Sequence, residues 1–69
     1  MDAPAGLIIT ITDITRAGYC GRGARRWFEG YELDFRAFLR DGISAQVLLD
    51  TGDALAERVV ESAMRRANG

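Results

Sequence analysis

The longest regular pattern of apolar and polar positions lies near the end of the chain, in residues 53–67. Apolar residues recur there every three or four positions, a spacing that places them along one side of an α-helix. These residues are Leu55, Ala56, Val59, Val60, Ala63 and Met64. We therefore expect a long C-terminal helix that packs this side against the rest of the molecule.

A strand is predicted at residues 7–12, near the start of the chain. This segment is rich in β-branched isoleucine and threonine, and its second half alternates between the two. A lone strand leaves backbone amides unpaired, so it needs a partner. The extended segment at 42–44 is one candidate, and a second copy of the chain in a homodimer is the other.

Four to five short helices are predicted between this strand and the long helix. Thr12 is the expected N-cap of the first, and Asp13 falls in its first turn, where negative charge suits the helix dipole. Asp34 and Ser44 are expected to cap the third and fourth helices, and Gly42 follows the end of the third. The predicted helices cover 13–17, 22–30, 35–41 and a short segment after Ser44.

Together these elements predict one α+β domain over residues 1–69 that is mainly helical, with residues 1–6 as a loose lead-in. Aromatic residues at helical spacing indicate a core rather than a stacking platform for single-stranded nucleic acid. Tyr19 and Tyr31 are expected to reach the surface. The expected core residues of the second and third helices are Ala24, Trp27, Phe28, Phe35, Phe38 and Leu39.

The residue types present exclude several kinds of site. The chain of 69 residues has one cysteine, Cys20, and no histidine, so it can form neither an internal disulfide nor a histidine-containing zinc site. Cys20 is expected to be a small buried apolar residue. No stretch approaches the roughly 20 apolar residues of a membrane span, and the first residues lack the pattern of a signal peptide. We expect a cytoplasmic domain with no cofactor and no membrane contact.

Asp50, Thr51 and Gly52 form the Asp-Thr-Gly sequence found in aspartic proteases. Those enzymes use two aspartates that share a proton, and each aspartate is held on a rigid β-loop. Here the flanking segments are predicted helices, and a second glycine-containing apolar motif is missing. The segment is therefore expected to be a turn between two helices, with Gly52 in the turn and Thr51 or Asp53 as the cap. We expect no enzymatic activity.

A glycine-rich segment at 18–23 leads into three arginines, Arg22, Arg25 and Arg26. Glycines at a helix start let backbone amides approach a phosphate, and arginines add positive charge. Neither a P-loop lysine nor a βαβ unit accompanies the segment, so a turn before an arginine-faced helix is the simpler interpretation. The same arginines leave open a small DNA-binding regulator that places this helix in the major groove.

Negative charge is concentrated in the second half of the chain. Residues 27–61 contain eight acidic residues and three arginines, although the whole chain has a net charge of −1. Asp53, Glu57 and Glu61 recur every four residues on the outer side of the long helix, and Asp50 lies just before it. Like charges at this spacing cost about 0.2–0.5 kcal/mol per pair in a helix. This acidic row is therefore either a solvated face or a docking surface for a basic partner.

A sequence signature spans most of the chain. It comprises Thr10, Thr12, Asp13 and Phe38 together with segments 17–20, 23–28, 33–36, 42–43 and 51–54. With this signature the chain resembles a family of small phage- and prophage-encoded proteins. Some small acidic phage proteins of this kind act as anti-CRISPR inhibitors of type I systems. The resemblance implies a protein-binding inhibitor in the cytoplasm of a host bacterium, and it assigns no role to individual residues.

The leading hypothesis is a phage-derived inhibitor that binds a host protein stoichiometrically. Asp50, Asp53, Glu57 and Glu61 would occupy the basic, DNA-gripping surface of a partner such as a CRISPR effector subunit. Direct contact with nucleic acid is not expected, because so small a basic surface neutralises few phosphates. The alternatives are a virion or tail-assembly protein and, from a different class, the DNA-binding regulator. Both a monomer and a homodimer are consistent with the sequence.

Overall fold

The computed structural model describes residues 3–68, in which short helices follow one another around a small two-stranded sheet. In chain order the elements are β1 (Ile8–Ile9), α1 (Ile11–Arg16), α2 (Gly21–Gly30), α3 (Phe35–Asp41), β2 (Ile43–Ser44), α4 (Ala45–Leu49) and α5 (Ala54–Asn68). This order confirms the expected α+β fold, mainly helical, with a short strand first and the longest helix last. Of the predicted lead-in, residues 3–6 contain neither helix nor strand, and Met1 and Asp2 lie outside the described residues.

The two strands pair with each other within the chain. β1 and β2 run antiparallel, with Ile9 opposite Ile43. Of the two partners that the sequence left open for the N-terminal strand, the structure shows segment 42–44 of the same chain. The strand is shorter than the predicted 7–12, because Thr10 is already the N-cap of α1.

The first helix begins two residues earlier than predicted. Its N-cap is Thr10, whose backbone N–H donates to Oδ2 of Asp13 at 2.9 Å and whose hydroxyl donates to the same oxygen at 3.3 Å. An acidic residue three positions after a threonine forms a capping box, which fixes the helix start at this threonine. Thr12 has no such partner: three positions after it stands Thr15, whose hydroxyl donates to the Thr12 carbonyl within the helix.

Both ends of α2 are held by short-range hydrogen bonds. At the start, Sγ of Cys20 accepts from the backbone N–H of Gly23 at 3.3 Å, and the cysteine is exposed. The expectation of a buried Cys20 is wrong because the thiol acts as the N-cap, a position that faces free amides at the surface. At the other end, Glu32 adopts a left-handed conformation with φ +58°, and the Leu33 N–H donates to the Phe28 carbonyl at 2.9 Å.

The core lies between α5 and the helices α1 and α4, and the buried aromatic residues of α2 and α3 belong to the same cluster. Phe28 and Phe38 are buried with their ring centroids 4.6 Å apart, and Trp27 is partly buried against them. Leu39, predicted inside, is 50% exposed. It lies one residue beyond Phe38, and therefore about 100° further round the helix. Four buried residues of α5, Ala56, Val59, Val60 and Ala63, confirm its predicted inner side. The other buried apolar residues are Ile9, Ile14, Ala24, Phe28, Phe38, Ala45 and Leu48.

Asp13 is a buried charged residue at the contact between α1 and α5, with an exposed fraction of 1%. Its Oδ1 accepts a hydrogen bond from the guanidinium of Arg66, in the last turn of α5, while Oδ2 caps α1. A buried carboxylate requires such partners, because removing it from water costs several kcal/mol. Asp13 therefore joins the two helices, a role beyond the dipole effect expected from its position in the sequence.

Gly42 has a backbone conformation that glycine alone adopts readily, with φ +78° and ψ −176°. A Cβ there would lie 2.5 Å from Cγ2 of Ile8 and 2.9 Å from the carbonyl oxygen of Ile9. We expect Gly42→Ala to lower the free energy of unfolding by at least about 1–3 kcal/mol. Gly52→Ala is the matched control, since its φ is +73° and nothing lies within 4 Å of an added Cβ. Equal losses for the two variants in urea unfolding would contradict this role of the β1 contact.

Arg66→Ala should destabilise the fold, because it leaves the buried Asp13 carboxylate without its ionic partner. We expect a loss of about 1.5–3 kcal/mol, the range for a hydrogen bond to a charged group. A larger loss is not expected, since the Arg66 side chain is itself 48% exposed. Arg65→Ala removes only an exposed pair with Glu61 and should cost less than about 0.5 kcal/mol. Thermal unfolding measures the difference, and identical melting temperatures would show that the Asp13 contact is dispensable.

Candidate functional site

The acidic row lies on the outer side of α5, where the sequence placed it. Glu57 and Glu61 are exposed, and the opposite side of the helix is buried. Asp53 immediately precedes the helix and is partly buried, while Asp50 is exposed at the end of α4. The four predicted site residues therefore occupy the α4–α5 turn and the exposed side of α5.

Asp53 acts within the protein as the cap of α5. Its Oδ1 accepts from the backbone N–H of Leu55 at 2.9 Å, and its Oδ2 accepts from the Tyr31 hydroxyl at 2.8 Å. The Tyr31 hydrogen bond, assisted by that of Leu55, lowers the pKa of Asp53, and the same bond raises the pKa of Tyr31. Asp53 therefore joins the loop after α2 to the start of α5, and both of its carboxylate oxygens have partners.

Trp27 packs beside the Tyr31–Asp53 pair. The ring centroids of Trp27 and Tyr31 are 4.7 Å apart, and Tyr31 is 42% exposed, so it reaches the surface as predicted. The indole N–H of Trp27 is buried and has no hydrogen-bond partner among the residues that the structure describes. Tyr19, also predicted at the surface, is partly buried against the core.

The remaining acidic side chains are available to another molecule. Glu57 forms no ion pair within the described residues, whereas Oε1 of Glu61 lies 3.1 Å from a guanidinium nitrogen of Arg65. One carboxylate oxygen of Asp50 accepts from the side-chain amide of Gln46 at 3.0 Å. Exposed pairs of this kind contribute at most about 1 kcal/mol, so a charged partner can displace them.

A group of arginines lies beside the acidic row, along the contact of α5 with α1. Arg16, Arg58 and Arg65 line an open groove of about 400 Å³ together with Ser62. The seven-residue spacing of Arg58 and Arg65 is a sequence signal that they share one side of a helix. Arg16 could not be assigned to this group from the sequence, because its place depends on how α1 packs against α5.

The arginines of α2 are exposed as expected, but part of their charge is engaged. Nε of Arg25 lies 3.0 Å from a carboxylate oxygen of Glu29. The N–H of Gly23, at the helix start, is already used by the Cys20 thiol. Both observations favour a simple turn before an arginine-faced helix over a phosphate cradle at this position.

The Asp-Thr-Gly segment forms the turn between α4 and α5. Oγ1 of Thr51 donates to the Leu48 carbonyl at 2.7 Å and accepts from the Asp53 backbone N–H at 3.2 Å. Gly52 has φ +73°. The expected helix–helix turn is thus confirmed, and Asp50 lies at the end of a helix rather than on a β-loop.

Comparison with known proteins adds no relative: no family model, curated protein or solved structure matches this chain. In the part of the chain that the structure describes, no helix is both long enough and apolar enough to cross a bilayer. The functional assignment therefore rests on the surface chemistry of α5 and its neighbours.

Tyr31→Phe should raise the pKa of Asp53 toward its ordinary value, because it removes the hydrogen bond that favours the carboxylate. A lowered pKa contributes stability that is present above the ordinary aspartate pKa and is lost as pH falls through the lowered value. The stability of Tyr31→Phe should therefore depend less on pH in the acid range. Carboxyl NMR titration of Asp53 measures the shift, with Tyr19→Phe as the control. An unchanged Asp53 titration in Tyr31→Phe would contradict the coupling.

Proposed function

We propose that this domain is a stoichiometric binding protein whose acidic row docks on a basic surface of another protein. The supporting observation is the exposure of Glu57 and Glu61 one turn apart on the longest helix. Like charges at this spacing reduce helix stability by about 0.2–0.5 kcal/mol per pair. Folding alone would favour an arginine at position 61, because it would pair with Glu57 as Arg65 pairs with Glu61.

The acidic residues divide into structural and docking groups. Asp53 uses both oxygens within the chain, so its contribution to docking is to hold Tyr31 and the start of α5 in place. Asp50, Glu57 and Glu61 supply the charge that a partner meets first. Tyr31 adds an exposed aromatic ring held by Asp53, and tyrosine is enriched among the residues that dominate interface energies.

Such a surface acts mainly through association rate and register. Complementary charge speeds the encounter of two proteins and excludes wrong partners, and its effect falls as salt shortens the Debye length below about 8 Å. The partner that fits this chemistry is a protein whose own basic surface grips nucleic acid. By covering that surface the domain would compete with nucleic acid directly, without catalysis.

The resemblance to small phage- and prophage-encoded proteins indicates which partner to test first. A phage-derived inhibitor of this chemistry would act in the cytoplasm of a host bacterium on the DNA-binding surface of a CRISPR effector subunit of a type I system. A virion or tail-assembly role would use the same acidic surface on a structural partner. The DNA-binding regulator has less support, because Arg25 is engaged with Glu29 and the acidic second half of the chain opposes DNA.

Replacing Glu57 and Glu61 together by arginine should abolish binding to a basic partner while leaving the fold intact. The expected loss is at least about 100-fold in affinity, since two attractive contacts become repulsive. Pull-down from host lysate with mass spectrometry identifies the partner, and a purified type I effector is tested in parallel. Biolayer interferometry over a salt series then measures the binding.

The matched control replaces Glu29 and Asp41 by arginine. These two residues are exposed and ion-paired on α2 and α3, and the change in net charge is identical. The control variant should still bind the basic partner. Binding of the wild type should weaken as the salt concentration rises. If the Glu57 and Glu61 variant binds at full strength and melts normally, the acidic row is only a solvated face and the proposal fails.

A further inference from the structure

The groove between α1 and α5 has an unusual charge balance for this acidic protein. Its lining consists of Arg16, Ala17, Arg58, Glu61, Ser62 and Arg65, and its volume is about 400 Å³. Three arginines and one glutamate give the lining a net charge of +2. The single acid is already engaged, since Glu61 pairs with Arg65 at 3.1 Å. Arg16 and Arg58 form no ion pair within the described residues.

Helix electrostatics explain only part of this cluster. Arg16 and Arg65 each lie in the last turn of a helix, where the dipole favours positive charge. Arg58 lies in the second turn of α5, far from the last turn in which the dipole favours a cation. The dipole therefore does not account for Arg58, which has a favourable spacing to Glu61 but is repelled by the two other arginines.

The ion pair between Asp13 and Arg66 joins the two helices that form the groove. Asp13, three residues before Arg16, accepts from Arg66, the residue after Arg65. This contact fixes α1 against α5 and so fixes the spacing of the guanidinium-bearing residues on the two helices. A ligand that bridges Arg16 and Arg58 would therefore not have to order the helices themselves, which lowers the entropic cost of binding.

We propose that this groove binds a phosphate group of a small molecule. Guanidinium groups donate paired hydrogen bonds to phosphate oxygens, and the Ser62 hydroxyl can donate a further one. A doubly charged phosphate matches the net charge of the lining, whereas a single carboxylate would neutralise half of it. The volume lies within the range of small-molecule sites. This binding does not require the partner of the acidic row, so it can be tested on the isolated domain.

Pyrophosphate and ADP are the two probes that distinguish the source of the phosphate. Each is titrated into the protein at constant ionic strength, and sodium chloride serves as the control. ¹H–¹⁵N NMR spectra should show saturable shifts at the amides of Arg16, Arg58 and Ser62. Tighter binding of ADP would assign a nucleotide, and equal binding would assign the phosphate group alone. Shifts that do not saturate, or that are centred on Arg22, would overturn the proposal.

Two substitutions with opposite expected effects complete the test. Arg58→Gln removes a donor and should weaken pyrophosphate binding about tenfold or more. Glu61→Gln removes the one acid among the described lining residues and should strengthen pyrophosphate binding, a result that a merely structural role of the groove would not produce. Arg36→Gln, outside the groove, is the control, and melting curves confirm folding. Equal affinities for wild type, Arg58→Gln and Glu61→Gln would show that the arginines are only solvated.

Discussion

The fold depends on one buried carboxylate. Asp13 satisfies the backbone amide at the start of α1 with one oxygen and holds Arg66, 53 residues later, with the other. α1 has only six residues, too few to be stable alone, since isolated helices shorter than about 12 residues are marginal in water. The position of α1 therefore comes from this contact and from burial of Ile14. The same contact ties the first and last helices of a domain that has little core to spare.

Local rules predicted most of the elements, because most of their boundaries are set within a few residues. Asp34 caps α3 as expected, with its side chain accepting from the Ala37 N–H at 3.0 Å, and Gly42 ends the helix. The same rules failed at residues 10–12, where β-branched composition predicted a strand. The Thr10–Asp13 capping box decided the conformation there, since it satisfies backbone amides that a longer strand would have left unpaired.

For the candidate site, too, the sequence predicted the positions of residues on a helix but not their long-range contacts. A period of four residues placed Glu57 and Glu61 on the outer side of α5, and the structure agrees. The bond between Tyr31 and Asp53 joins residues 22 apart, so no local pattern could show that Asp53 has a structural role. In the same way, no local pattern could show that Arg16 lines the groove, because its place there depends on the packing of α1 against α5. Sequence periodicity and capping motifs thus show on which side of a helix a charged residue lies. Which residue it pairs with depends on tertiary contacts that no local pattern reveals.

The two proposals about α5 are physically connected, because the acidic row and the arginine groove share Glu61. In the isolated domain the Glu61–Arg65 pair partly neutralises the boundary between them. A phosphate in the groove would cancel the charge of Arg16 and Arg58, and it would lie within about one Debye length of Glu57, which adjoins Arg58 in the chain. The field of the acidic row would then be stronger, and a basic partner would bind more tightly. Since coupling between two binding sites is reciprocal, the same partner would tighten the phosphate. The acidic row and the arginine groove on α5 can therefore strengthen each other's binding, provided that a basic partner binds the first and a phosphate binds the second.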